Sequence, residues 1–171
     1  MTKALFINGS PRKNGNTAQL LKRAMDGARE AGAEVELVNL YDRSLNYKGC
    51  MSCFACKIKG GKKGICSFKD DLKPKHSAAI FTMNCPSDQM YQANGYDMLM
   101  DMSARQLGMF GPASVLRSYD TYQFNDYSRY DAAQIDAAHK AEVHESQFPK
   151  DLESAYELGK QLVVACKGSL L

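Results

Sequence analysis

The first forty residues constrain the fold most, because a short apolar run, a tight turn, an amphipathic helix and a second β-branched run follow in close order. Ala4-Leu5-Phe6-Ile7 reads as a buried strand, stopped by Asn8-Gly9-Ser10-Pro11. From Thr17 the apolar positions Leu20, Leu21, Ala24, Met25, Ala28 and Ala31 share one helical face, and Gly32 supplies the stop. Val35 to Leu40 is a second strand. Strand, helix and strand in so short a span form a βαβ unit, so the strands should be parallel and the crossover right-handed.

The alternation continues further on, which points to α/β layering. Ser77 to Met83 reads as a third strand, followed by a helix carrying Tyr96, Leu99, Met102 and Leu107 that ends near Gly108. Ala113 to Arg117, or a little beyond, is a fourth strand. A tyrosine-rich loop leads to polar helical sequence around Ile135 to Val143. The last helix opens at Pro149, a favoured first-turn residue, and carries Leu152, Ala155, Tyr156, Leu162, Val163 and Cys166. With no repeat, low-complexity tract or Ser/Gly linker, residues 1–171 are expected to form one domain with a Cys/Lys-rich loop at about 47–75.

Composition excludes several classes of function. Lys plus Arg number 22 and Asp plus Glu 19, a net +3, too mild for a dedicated nucleic-acid binder. No stretch approaches the ~20 apolar residues of a membrane helix, so a cytoplasmic location is the expectation. In that compartment six cysteines are better read as metal, cluster or free-thiol residues than as disulfides.

The loop Gly9 to Thr17 sits where a doubly wound sheet binds phosphates. Gly9 and Gly15 permit close backbone approach, and the helix start presents N–H groups with partial positive charge. Ser10, Asn14, Asn16 and Thr17 add hydroxyl and amide groups, and Arg12 a planar fork for phosphate oxygens. It is not a P-loop, since no Gly-Lys-Ser/Thr follows, nor the Gly-x-Gly-x-x-Gly dinucleotide fingerprint. The alternative is a plain capped turn with Asn16 or Thr17 as N-cap.

Lys3-Ala-Leu-Phe-Ile-Asn-Gly-Ser-Pro-Arg-Lys-Asn-Gly-Asn-Thr17, with the helix and the strand Val35 to Leu40, resembles the NAD(P)H-dependent FMN reductases of the flavodoxin-like fold. Cys50 to Asp71 resembles the iron–sulfur flavoprotein branch of that superfamily, and looser similarity runs through Tyr119-Asp-Thr-Tyr-Gln-Phe to the last helix. The resemblance implies a flavodoxin-like doubly wound parallel sheet and FMN held by its phosphate at Ser10, Arg12, Asn16 and Thr17, with Gly15 at the turn. It also implies a homodimer or homotetramer in which a neighbouring subunit covers the flavin.

One departure matters. The family places a helix, a strand and a flavin-supporting loop after a position like Asp70-Asp71-Leu72, but here Lys73-Pro74-Lys75-His76 leads straight into Ser77. One central strand–helix unit, expected between Leu72 and Ser77, is missing. Either the segment is omitted from the sequence or excised by a natural or engineered deletion, or the chain adopts a new four-strand architecture. Sheet order 2-1-3-4-5 needs a strand beside the first, so Ser77 to Met83 must slide into that place or another chain must supply one. Thr82, Met83 and Asn84, at the end of the available strand, then become the substitute contacts for the flavin ring.

Cys50-x-x-Cys53-x-x-Cys56 with Cys66 is closer to a [4Fe–4S] spacing than to the paired Cys-x-x-Cys of structural zinc. Free thiols in a loop near the flavin remain the other reading. Cys85 and Cys166 read as small buried hydrophobes. Lys57 to Lys75 holds seven lysines and two aspartates, either a solvated face or an attractor for the extra phosphate of NADPH or an acidic partner. Tyr119, Tyr122, Phe124, Tyr127 and Tyr130 read as cover for a flavin or an interface. His139 and His144, five apart, do not pair as ligands and read as solvated.

The expected activity is an oxidoreductase passing hydride from NAD(P)H through FMN to a small acceptor such as a quinone, flavin or nitro compound. Two alternatives stand beside it: an iron–sulfur flavoprotein that carries electrons, and a truncated module that binds an anion without catalysis.

Overall fold

The computed structural model describes residues 2–42, 76–85, 88–108, 111–131 and 135–168. Strand β1 (Thr2–Asn8), helix α1 (Asn16–Glu30) and strand β2 (Ala33–Asn39) form the expected βαβ unit. β1 and β2 run parallel, in register from Thr2 opposite Ala33 to Asn8 opposite Asn39. Gly32 takes φ +81 just past the helix and its N–H donates to the Arg29 carbonyl, the left-handed stop that glycine adopts without strain.

β3 (Ser77–Thr82) and β4 (Ala113–Ser118) form a second parallel pair, Ser77 opposite Ala113 and Thr82 opposite Ser118. Between them lie α2 (Asp88–Ala93) and α3 (Tyr96–Gly108), and after them α4 (Ala137–Ser146) and α5 (Phe148–Gly168). The architecture is α/β and flavodoxin-like, with small sheets. Among the described residues β1 pairs with β2 alone and β3 with β4 alone. The third strand has therefore not slid in beside the first. The two pairs are joined through α1 and α5, which pack against strands of both, and not through a backbone ladder among the described residues.

Two helices bridge the strand pairs. α1 and α5 cross so closely that a Cβ at Gly27 would lie 1.9 Å from the Tyr156 carbonyl oxygen, and one at Gly159 only 1.8 Å from that of Ala24. Leu20, Ala24, Met25, Ala28, Ala155 and Val163 close the core from these helices, against Phe6 of β1, Phe148 and the partly buried Ile80 and Leu116 of the other pair. The rim is polar: the Arg23 guanidinium lies over the Tyr156 ring, Lys160 pairs with Glu30 at 2.9 Å, and Lys167 Nζ donates to the Ala31 carbonyl at the end of α1.

The outer face of β1 is a different matter. Ala4, Phe6 and Asn8 point inward, while Leu5 and Ile7 are exposed, which a sheet covered on both faces would not allow. On α3 the expected face is corrected: Tyr96, Leu99 and Met102 are exposed and Met100 is buried. Apolar residues surround this helix on all sides, so periodicity could not choose the face that β3 and β4 would cover. Cys85 and Cys166 are partly buried.

Candidate functional site

The carboxyl ends of β1 and β3 and the start of α1 converge with the loop after β4. α1 is headed by Gly15, whose side carries no cap, so neither Asn16 nor Thr17 caps the helix as a plain turn would require. The first-turn N–H groups of an α-helix have no intrahelical partner, and here they face the loop open. Gly15 belongs at this point: a Cβ would meet that of Arg12 at 3.1 Å, and the Gly15 N–H donates to the Arg12 carbonyl at 3.2 Å. The loop is pulled into shape by Asn8, whose Oδ1 accepts from the Ser10 N–H while its Nδ2 donates to Asn39 Oδ1 at 2.9 Å. Ser10 Oγ in turn accepts from the Arg12 N–H at 3.2 Å.

The anticipated anion ligands gather on this loop. Arg12 Nη1 donates to the Gln123 carbonyl at 2.7 Å, and Asn16 Nδ2 to the Tyr122 carbonyl at 2.9 Å. Thr17 Oγ1 and Thr82 Oγ1 share a hydrogen bond of 2.7 Å, which joins the phosphate loop to the end of β3. Asn14 faces the other way, its carbonyl and Oδ1 accepting from Gln19 and Lys22. Met83 is held through its backbone, its N–H donating to the Ser118 carbonyl and its own carbonyl accepting from Thr121. Asn84 Nδ2 donates to Gln123 Oε1 at 2.7 Å. Thr82 and Asn84 thus stand beside the loop, while Met83 serves the framework. Cys50, Cys53, Cys56 and Cys66 lie outside the described residues, among which no cluster of metal-ligating side chains occurs.

Sequence reasoning missed the supports beneath this corner. Asp120, two residues beyond β4, takes φ +56 in the left-handed region, which aspartate tolerates better than most residues. Its buried carboxylate pairs with the buried ammonium of Lys140 and, at 2.8 Å, with His139 Nε2. Lys140 Nζ also donates to the Asn84 carbonyl at 2.7 Å, locking α4 onto the ends of β3 and β4. The reading of the histidines as solvated holds for His139, whose side chain is about half exposed, and is corrected for His144. His139 has a carboxylate partner, and the His144 ring stacks between Tyr122 (4.4 Å) and Phe148 (5.2 Å). Their spacing excluded only a pairing with each other; partners from β4 and its loop come from the fold. The tyrosine-rich loop does cluster, with Phe124 stacked on Tyr130 at 4.1 Å and edge-on to Tyr127 at 5.4 Å.

A cleft of about 170 Å³ opens on the β2 side of the loop, lined in part by Asn8, Lys13, Asn14 and Asn39. A larger concavity of about 410 Å³ lies at the amino end of β4, between Asp101, Arg105 and Pro112. Parallel α/β sheets bind ligands at their carboxyl ends, so the loop and not the larger hollow is the candidate site.

A glycine-headed helix start at the carboxyl end of a parallel strand, flanked by arginine, amide and hydroxyl groups, is the kind of arrangement at which doubly wound sheets hold anions. A model of the NADPH-dependent FMN reductase family matches residues 2–79, a little under half of the chain. An iron–sulfur flavoprotein of Methanocaldococcus jannaschii is 39% identical over 70 residues, 41% of this chain and 33% of the relative. An iron–sulfur flavoprotein of Archaeoglobus fulgidus is 39% identical over 71 residues, 41% of this chain and 29% of the relative. The chain thus spans about a third of the length of the curated relatives it matches. No solved structure matches it.

Proposed function

We propose that this chain is an FMN-dependent oxidoreductase that takes hydride from NAD(P)H and delivers electrons to a small acceptor such as a quinone, flavin or nitro compound. The observation that carries the reading is the uncapped start of α1 with Arg12, Ser10, Asn16 and Thr17 around it, inside the stretch that matches the reductase family. The donor set fits a phosphate monoester: a planar guanidinium, hydroxyl and amide donors, and a helix start whose partial positive charge has no side-chain competitor. Ser10, Arg12, Asn16 and Thr17, with Gly15 at the turn, would hold the phosphate, and Thr82 and Asn84 would border the ring. When bound, FMN supplies hydride acceptance and release at its N5. The protein's part is to seat and orient the group and to leave one ring face open, so turnover is expected to be ping-pong. The reading includes a homodimer or homotetramer, to which the exposed Leu5, Ile7 and Tyr130 would contribute apolar surface.

A second reading is favoured by the names of both relatives: an iron–sulfur flavoprotein electron carrier whose Cys50, Cys53, Cys56 and Cys66 hold a [4Fe–4S] cluster. An anaerobic visible spectrum, taken before and after FMN is added, separates the two. Two flavin bands alone, followed by NAD(P)H oxidation with acceptors, support the reductase. A broad brown shoulder bleached by dithionite, with iron and acid-labile sulfide, supports the carrier. A protein that stays colourless with FMN overturns both.

A further inference from the structure

We propose that Tyr127 is a positioning residue for the Arg12 guanidinium, acting through the Gln123 peptide, an inference that rests on loop 9–17 being the FMN phosphate seat. Gln123 is exposed, yet it is held at three points. Its N–H donates to Tyr127 Oη at 3.0 Å, its carbonyl accepts from Arg12 Nη1 at 2.7 Å, and its Oε1 accepts from Asn84 Nδ2 at 2.7 Å. One residue earlier, the Tyr122 carbonyl accepts from Asn16 Nδ2. Two successive carbonyls of the aromatic loop therefore hold Arg12 and Asn16.

Tyr127 is itself anchored. It opens a single 3₁₀ turn, Tyr127–Arg129, capped by Asp126, whose Oδ1 accepts from the Ser128 N–H and hydroxyl. Its ring packs against Phe124 and Tyr122. The hydroxyl thus stands at a fixed place from which to accept the Gln123 N–H and aim the Gln123 carbonyl at Arg12.

The physical consequence concerns an arginine on an exposed loop. Such a side chain has many rotamers to lose on binding an anion. One Nη fixed by the Gln123 carbonyl removes much of that freedom beforehand and leaves the rest of the fork for phosphate oxygens. By linkage, a phosphate bound to the fixed fork must also stabilise the Tyr127–Gln123 contact. Tyr127→Phe deletes the acceptor, keeps the ring, and touches no atom of the seat.

The test compares FMN with riboflavin, which lacks the phosphate, in binding titrations of the full chain and of Tyr127→Phe. Loss of one neutral hydrogen bond predicts a roughly three- to tenfold weaker affinity for FMN with riboflavin binding unchanged. Equal losses for both flavins, or none, overturn the positioning role while the phosphate reading stands. A wild-type protein that binds FMN no better than riboflavin removes the phosphate reading itself. Should the variant fail to fold, hydrogen exchange on the wild type decides: the Gln123 amide must be slowed by FMN and not by riboflavin, and an unchanged rate overturns the proposal.

Discussion

Gly159→Ala sets two effects of opposite sign against each other in the middle of α5. On helix propensity alone alanine should stabilise by up to about 1 kcal/mol. The structure reverses the sign. The new Cβ would lie 1.8 Å from the Ala24 carbonyl oxygen, 2.6 Å from its carbon and 2.9 Å from its Cα, all of them backbone. Real Cβ atoms essentially never come within 3.0 Å of a neighbour, so α1 and α5 must part by about 1.2 Å. No rotamer can relieve this. Separation would loosen Leu20, Ala24, Ala28, Ala155 and Val163, which the crossing now buries almost completely. Overpacking typically costs about 1–3 kcal/mol, and a backbone-on-backbone clash belongs at the upper end, so a net loss of about 2 kcal/mol is expected. Urea denaturation followed by circular dichroism should show a lower midpoint at unchanged slope. Adding Ala24→Gly should rescue nothing, because the obstacle is a carbonyl and not a side chain. Gly168→Ala, on the same helix with open space around it, should change stability by no more than about 0.5 kcal/mol. A raised or unmoved midpoint for Gly159→Ala would refute the packing argument.

Arg12→Ala should weaken FMN binding by roughly ten- to a hundredfold, as loss of a charge-assisted bond implies, with riboflavin binding barely altered; equal FMN affinity by fluorescence titration sinks the assignment. Asp120→Ala leaves the buried Lys140 without its carboxylate and should cost about 3–5 kcal/mol in thermal or chemical denaturation, whereas a surface-like change of a few tenths would mean the pair is not buried in solution. The Lys160 ammonium is held above the ordinary lysine pKa by its hydrogen bond to Glu30, then by that carboxylate's charge. Its small contribution should be fully present below the ordinary lysine value and fade as pH rises through the raised one; in Glu30→Gln, NMR titration of Lys160 should show the pKa falling back.

The loop Gly9 to Thr17 could be singled out in sequence because its features are local: glycines, a helix start and polar side chains lie within nine residues. The same is true of β1, α1 and β2, where period-2 and period-3.6 patterns each bury one face and Gly32 marks the stop. What the chain could not show locally are contacts made across a hundred residues. Arg12 and Asn16 meet Gln123 and Tyr122 only because β4 delivers that loop to the carboxyl end of the sheet. His144 looked solvated for the same reason, its stacking partner Tyr122 lying in the loop after β4. The strand pairing also belongs to the tertiary structure. An apolar run such as Ser77–Thr82 carries no local mark of which strand it will pair with, and its register with Ala113–Ser118 is seen only in the folded chain. Local sequence thus determined which segments are strands and helices and where the glycine-bearing turn before α1 falls, since backbone propensity and side-chain period act over a few residues. The positions of Gly27 and Gly159 gained their meaning only when two helices met there, because steric exclusion acts between neighbours in space whatever their distance along the chain.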